Sequence, residues 1–111
     1  RQRFGSLAPY GSDAPALEAL LSSDPSMAGP IHPRLRARVG EVVWAVREEM
    51  ARTVDDVLAR RTRSLVLDAR AAAEAAPLVA EVMAKELGRG SGWVKNQTTE
   101  FQALAANYVL T

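Results

Sequence analysis

Cysteine is absent from this chain, so neither a disulfide framework nor a thiolate metal site can be built from it. Histidine occurs once, at His32 between Pro30 and Pro33, and no nearby carboxylate spacing supports it as a metal ligand or general base. Apolar runs are only a few residues long, which excludes a membrane-spanning helix. Net charge is just +1, so there is no global attraction to nucleic acid or lipid. Sustained period-two alternation of β-branched residues is also missing, and with it the signal for a sheet.

What is present points to a packed helical domain. A hydrophobic content of 48% suits a globular core rather than disorder. With 111 residues the chain reads as one domain, able to bury roughly 65% of its unfolded surface without staples. It begins with Arg1, without a signal-peptide pattern, and is read as a piece of a longer protein.

The most informative stretch runs from Glu41 to Arg63. Val39, Val43, Val46, Met50, Val54, Val57 and Leu58 recur at the spacing that lines one helical face. Glu48, Arg52, Asp56 and Arg60 follow at steps of four and predict a charged rail beside that stripe. One long helix or two shorter ones would satisfy the pattern. Thr53, followed by Asp55 and Asp56, has the form of a helix start, which favours a break near Thr53.

Elsewhere, residues 1–12 read as an irregular linker remnant, with Ser12 or Asp13 capping a short helix to about Ser22. The proline-rich stretch from Ser22 to Pro33 predicts a loop. Leu65 to Leu67 reads as a buried turn or connector, and Asp68 as the cap of an alanine-rich helix. Pro77 would kink that helix or restart it, Leu78, Val79, Val82, Met83 and Leu87 would form its inner face, and Gly88 would end it. A connector from Gly88 to Gly92 then leads to a last helix carrying Trp93, Gln97, Phe101, Leu104 and Tyr108. The expected fold class is all-α: about five helices in a compact bundle-like or orthogonal packing, with no sheet.

Chemistry is sparse. The glycines at 88, 90 and 92 follow a helix rather than a strand and do not have dinucleotide-fingerprint spacing. No carboxylate pair, Ser-His-Asp set or metal-ligand cluster can be assembled. Arginine is the exception, clustering at Arg34, Arg36 and Arg38, and again at Arg60, Arg61 and Arg63. Its planar fork suits interfacial carboxylates. Arg47, Arg52, Arg60 and Arg61, oriented by Glu49 and Asp56, are therefore the candidate interdomain docking residues; the bland alternative is a solvated helix face.

The run EVVWAVREEMARTVDDVLARRTR, continued by SLVLDARAAAEAAPLVAEVMAKELG, resembles the C-terminal helical domain of FAD-dependent glycerol-3-phosphate dehydrogenases and the related oxidases. Glu41, Ala45, Val46, Arg47, Glu49, Ala51, Arg52, Asp56, Leu58 and Arg60 to Thr62 carry it. Asp68, Ala75 to Pro77 and Glu86 to Gly88 extend it, as do Tyr10 to Ser12 and His32 to Leu35. The resemblance implies a single C-terminal domain over residues 1–111 of a parent that oxidises glycerol 3-phosphate to dihydroxyacetone phosphate. It places FAD in the parent and none in this chain, with no catalytic, cofactor or metal residues here. The partner it implies is the N-terminal FAD-binding catalytic domain, with oligomer or membrane-surface contact as further roles in the parent. The parent would be cytoplasmic or peripheral at the inner face of a membrane. Rival readings are a free-standing helical module for protein or nucleic acid and, less economically, a small autonomous enzyme. The interleaved Glu and Asp argue against nucleic acid.

Overall fold

The structure is a computed structural model that describes residues 14–108. The expected linker at 1–12 and the Ser12 or Asp13 cap lie outside those residues. Within them the elements are α1 (Ala14–Ser23), α2 (Pro25–Ala28), α3 (Val39–Glu48), a π-helical segment (Asp56–Arg61), α4 (Ser64–Leu67), α5 (Ala69–Leu87) and α6 (Ser91–Ala106). No strand occurs among the described residues; the sole β feature is an isolated bridge between Pro30 and Arg38. The all-α expectation holds.

Helix α5 is the centre of the molecule. Its alanines resist neither helix formation nor close approach, and Ala71, Ala72, Ala75, Ala76, Val79, Ala80 and Met83 are all buried. Asp68 caps it, accepting the Ala71 N–H at 3.0 Å. Gly88 stops it at φ 70°, a left-handed conformation that glycine adopts without strain. Pro77 neither kinks the chain into two helices nor restarts one. It sits inside α5, and the carbonyl it cannot satisfy, that of Ala73, accepts the Gln102 side-chain N–H at 2.9 Å. That bond sets the end of α6 beside the start of α5, so the two helices form an antiparallel hairpin. The turn between them is shorter than expected, because Ser91 and Gly92 already belong to α6.

The segment from 41 to 63 is two elements. Helix α3 ends at Glu48, and the chain turns at Met50, which is held at φ 63°. Helical winding resumes after Thr53, whose hydroxyl accepts the Asp56 N–H at 3.1 Å while Asp56 accepts the Thr53 N–H at 3.1 Å. This reciprocal pair is the start signal anticipated from the sequence. The wider π winding then carries Val57 and Leu58 into the core, with the Thr62 N–H reaching Val57 O at 2.8 Å. Val43, Val46, Val54, Val57 and Leu58 of the anticipated stripe are buried. Met50 is not: it is 70% exposed, turned outward by its left-handed backbone.

Three local expectations need correction. The 22–33 loop contains a helical turn, α2, started by Asp24 and by Pro25 at the position where a missing N–H costs nothing. Of Leu65, Val66 and Leu67, only Leu65 is buried. Leu78 lies on the outer side of α5, leaving Val79 and Met83 as the buried members of its predicted inner face. Helices α1 and α2 pack on α3 at Gly40, where a Cβ would press on the Leu21 side chain and the Met27 backbone. Ala14, Leu17 and Leu21 make a second small core there, covered by Leu20 and Trp44.

Candidate docking face

The charged rail expected from Glu48, Arg52, Asp56 and Arg60 is not continuous. Because α3 stops at Glu48, the step-of-four register is broken, and among the described residues no ion pair links Glu48, Arg52, Asp56 and Arg60 in sequence. Arg47 is engaged within the domain. Its guanidinium grips Glu86 of α5 with both arms, at 2.7 and 3.2 Å, and that hydrogen bond raises its pKa further. Arg52 donates to the carbonyls of Ala51 at 2.8 Å and Val46 at 3.3 Å, closing the exposed end of α3.

Glu49, Asp56, Arg60 and Arg61 do come together. With Met50 and Ala51 they line a surface cleft of about 300 Å³ between the end of α3 and the π segment. Burial pushes the Asp56 carboxyl up, but the N–H groups of Arg52 and Thr53, the Thr53 hydroxyl and the charge of Arg60 outweigh it and hold the pKa below the usual value. Arg61 leans on Glu49, its Nε 3.7 Å from Oε1 and its Nη2 3.4 Å from the backbone carbonyl. Glu49 Oε1 is buried and accepts no hydrogen bond. No hydrogen bond among the described residues occupies the Arg60 guanidinium, which is exposed.

His32, read from sequence as lacking a carboxylate, has one. Glu74 of α5 lies 2.6 Å from its Nε2. Its Nδ1 accepts the Arg34 N–H at 3.0 Å, so the ring proton sits on Nε2 and is donated to Glu74. Arg34 in turn reaches Asp68 at 3.0 Å, and this hydrogen bond together with the Ala71 N–H lowers the Asp68 pKa. The result ties the 29–38 loop to the start of α5. It is a brace, with side chains spent on each other rather than aimed at a ligand.

Neither metal nor flavin finds a fit in the described residues. No group of His, Asp and Glu is placed to hold a metal ion. Gly88, Gly90 and Gly92 join helix α5 to helix α6 rather than a strand to a helix, so they do not make a dinucleotide-type phosphate loop.

Residues 6–98 match the family described as the C-terminal domain of alpha-glycerophosphate oxidase. The chain belongs to that family. It is also 38% identical over 71 residues to the mitochondrial glycerol-3-phosphate dehydrogenase of Schizosaccharomyces pombe. That match covers 64% of this chain but only 10% of the relative. No solved structure matches the chain. Among the described residues, no helix of this family member is long and apolar enough to cross a membrane.

Two functional details escaped sequence reasoning. Met50 read as a core residue because its spacing fits the stripe; only its backbone angle reveals the outward turn. Glu86, which neutralises Arg47, lies 39 residues away, beyond any local pattern.

Proposed function

We propose that this chain is the docking and bracing domain of an FAD-dependent enzyme that oxidises glycerol 3-phosphate to dihydroxyacetone phosphate. The family match over residues 6–98 carries this reading. The substrate's hydride passes to FAD held by the N-terminal catalytic domain, and the electrons continue to a quinone or to oxygen. This chain supplies none of those steps. Its part is to pack against the catalytic body through the surface that includes Arg52, Arg60 and Arg61, with Arg47 acting inside the domain. Peripheral membrane or oligomer contact in the parent is compatible with that part.

One feature supports the reading: charged side chains of the chain brace loops and helix ends, as Arg47, Arg34 and Asp68 do. The rival nucleic-acid reading loses force for the same reason, since Arg34, Arg47 and Arg61 already face carboxylates of the chain. The experiment is the pair Arg60→Ala and Arg61→Ala in the full-length enzyme. Thermal stability and glycerol-3-phosphate oxidation should both drop, and unchanged values for both would defeat the docking role. This chain alone should be colourless after saturation with FAD and gel filtration; a yellow, FAD-loaded product would refute the division of labour.

A further inference from the structure

The cleft at the end of α3 gathers three features within one small area. The Arg60 guanidinium is exposed with all its donors free of hydrogen bonds to described residues. Glu49 Oε1 is buried without a hydrogen-bond donor, its nearest cation, Arg61 Nε, standing off at 3.7 Å. Met50 extends from the rim, 70% exposed, on a left-handed backbone at φ 63°, its Sδ accepting from Arg52 Nη2 at 3.7 Å. A buried acceptor without a donor is costly, and an exposed side chain on a left-handed backbone recovers little of its strain through burial. Each is relieved by a partner that brings an anion for Arg60, an N–H for Glu49 and an apolar hollow for Met50.

Resting on the docking role above, we propose that this cleft receives an acidic segment of the catalytic body of the same enzyme. One carboxylate of that segment lies in the fork of Arg60, a neighbouring N–H bonds Glu49 Oε1, and Met50 inserts beside them. Hydrogen bonding decides the occupant: Asp56 accepts the Arg52 and Thr53 N–H groups and Glu49 has Arg61 beside it, whereas the Arg60 fork, though near the charge of Asp56, makes no hydrogen bond to a described residue. Arginine meets a carboxylate with two parallel bonds, which fixes orientation as well as attraction. Arg47 lies outside this contact because Glu86 already fills its fork.

The absence of cysteine from this chain supplies the test. In the full-length enzyme, Met50→Cys and, separately, Leu67→Cys place thiols on two exposed positions, 70% and 75% exposed in the domain. Alkylation of each is followed by mass spectrometry of the domain's own peptide. The thiol from Met50→Cys should react roughly tenfold or more slowly than the one from Leu67→Cys. Adding Arg60→Ala should remove most of that protection, and Arg60→Lys should restore only part of it. If Leu67→Cys is shielded and Met50→Cys is free, the domain docks by its other face and this inference falls while the docking role stands. If both thiols react freely, the docking role falls with it. Shielding of Met50→Cys that ignores Arg60→Ala, or that appears only as protein concentration rises, also overturns the proposal, the latter by assigning the cleft to a second copy.

Discussion

Met50 is the residue at which local energetics and packing disagree. Its left-handed backbone is unfavourable for any residue with a Cβ, and its side chain gains little burial in return. Met50→Gly should therefore stabilise the isolated domain by about 0.5–1 kcal/mol, relief of strain being partly offset by glycine's greater freedom when unfolded. Urea unfolding measures it; a destabilised variant would show that the Met50 side chain holds more of the fold than its exposure suggests. Asp56 shows the opposite balance. Hydrogen bonds from Arg52 and Thr53 keep it ionised to lower pH than an unfolded aspartate, whose ordinary pKa is near 3.9. The unfolded chain then binds the proton first as pH falls. The contribution of Asp56 is present in full above about pH 4 and is lost as pH drops through its lowered folded value. Asp56→Asn should cost about 1 kcal/mol at neutral pH, allowing for solvent screening, and should flatten the acid limb of the stability profile. An unchanged acid limb would assign that slope to other carboxylates such as Asp68.

At the scale of elements, the hairpin of α5 and α6 depends on a vacancy in a helix. Proline at 77 leaves the Ala73 carbonyl without its usual donor, and Gln102 fills the place from the neighbouring helix. Gln102→Ala should cost about 0.5–1 kcal/mol. With Pro77→Ala already in place the same change should cost less, because α5 then satisfies Ala73 itself. Equal costs in both backgrounds would show that the two residues act independently. A second link joins α6 to the turn that enters the π segment, the Gln97 side chain accepting the Val54 N–H at 2.9 Å. The glutamines at 97 and 102 thus position α6 from one side chain each.

At the scale of the molecule, the two hydrophobic clusters differ in extent. The larger gathers α3, the π segment, α4, α5 and α6, whereas Ala14, Leu17 and Leu21 anchor α1 to a separate small one. Fewer apolar contacts must break to release α1, so its amides should exchange with deuterium roughly tenfold or more faster than those of α5. Equal protection along both helices would mean that the domain opens only as a whole. The cleft beside Met50 lies against the larger of the two clusters.

Local chemistry is what the sequence determined by itself. The Thr53 and Asp56 start, the Asp68 cap, the Gly88 stop and the buried valines at 43, 46, 54 and 57 each depend on residues a few positions apart, where helix geometry leaves little choice. The arginine-rich stretch that carries the family likeness was legible for the same reason. Tertiary structure alone decided which charges are spent and which are free. Arg47 finds Glu86, His32 finds Glu74 and Ala73 finds Gln102 across separations of 39, 42 and 29 residues. Those partners are chosen by how α3, α5 and α6 pack, since no spacing rule reaches from one helix to another. The outward turn of Met50 belongs with them, because the break after Glu48 takes a residue with stripe spacing out of the core.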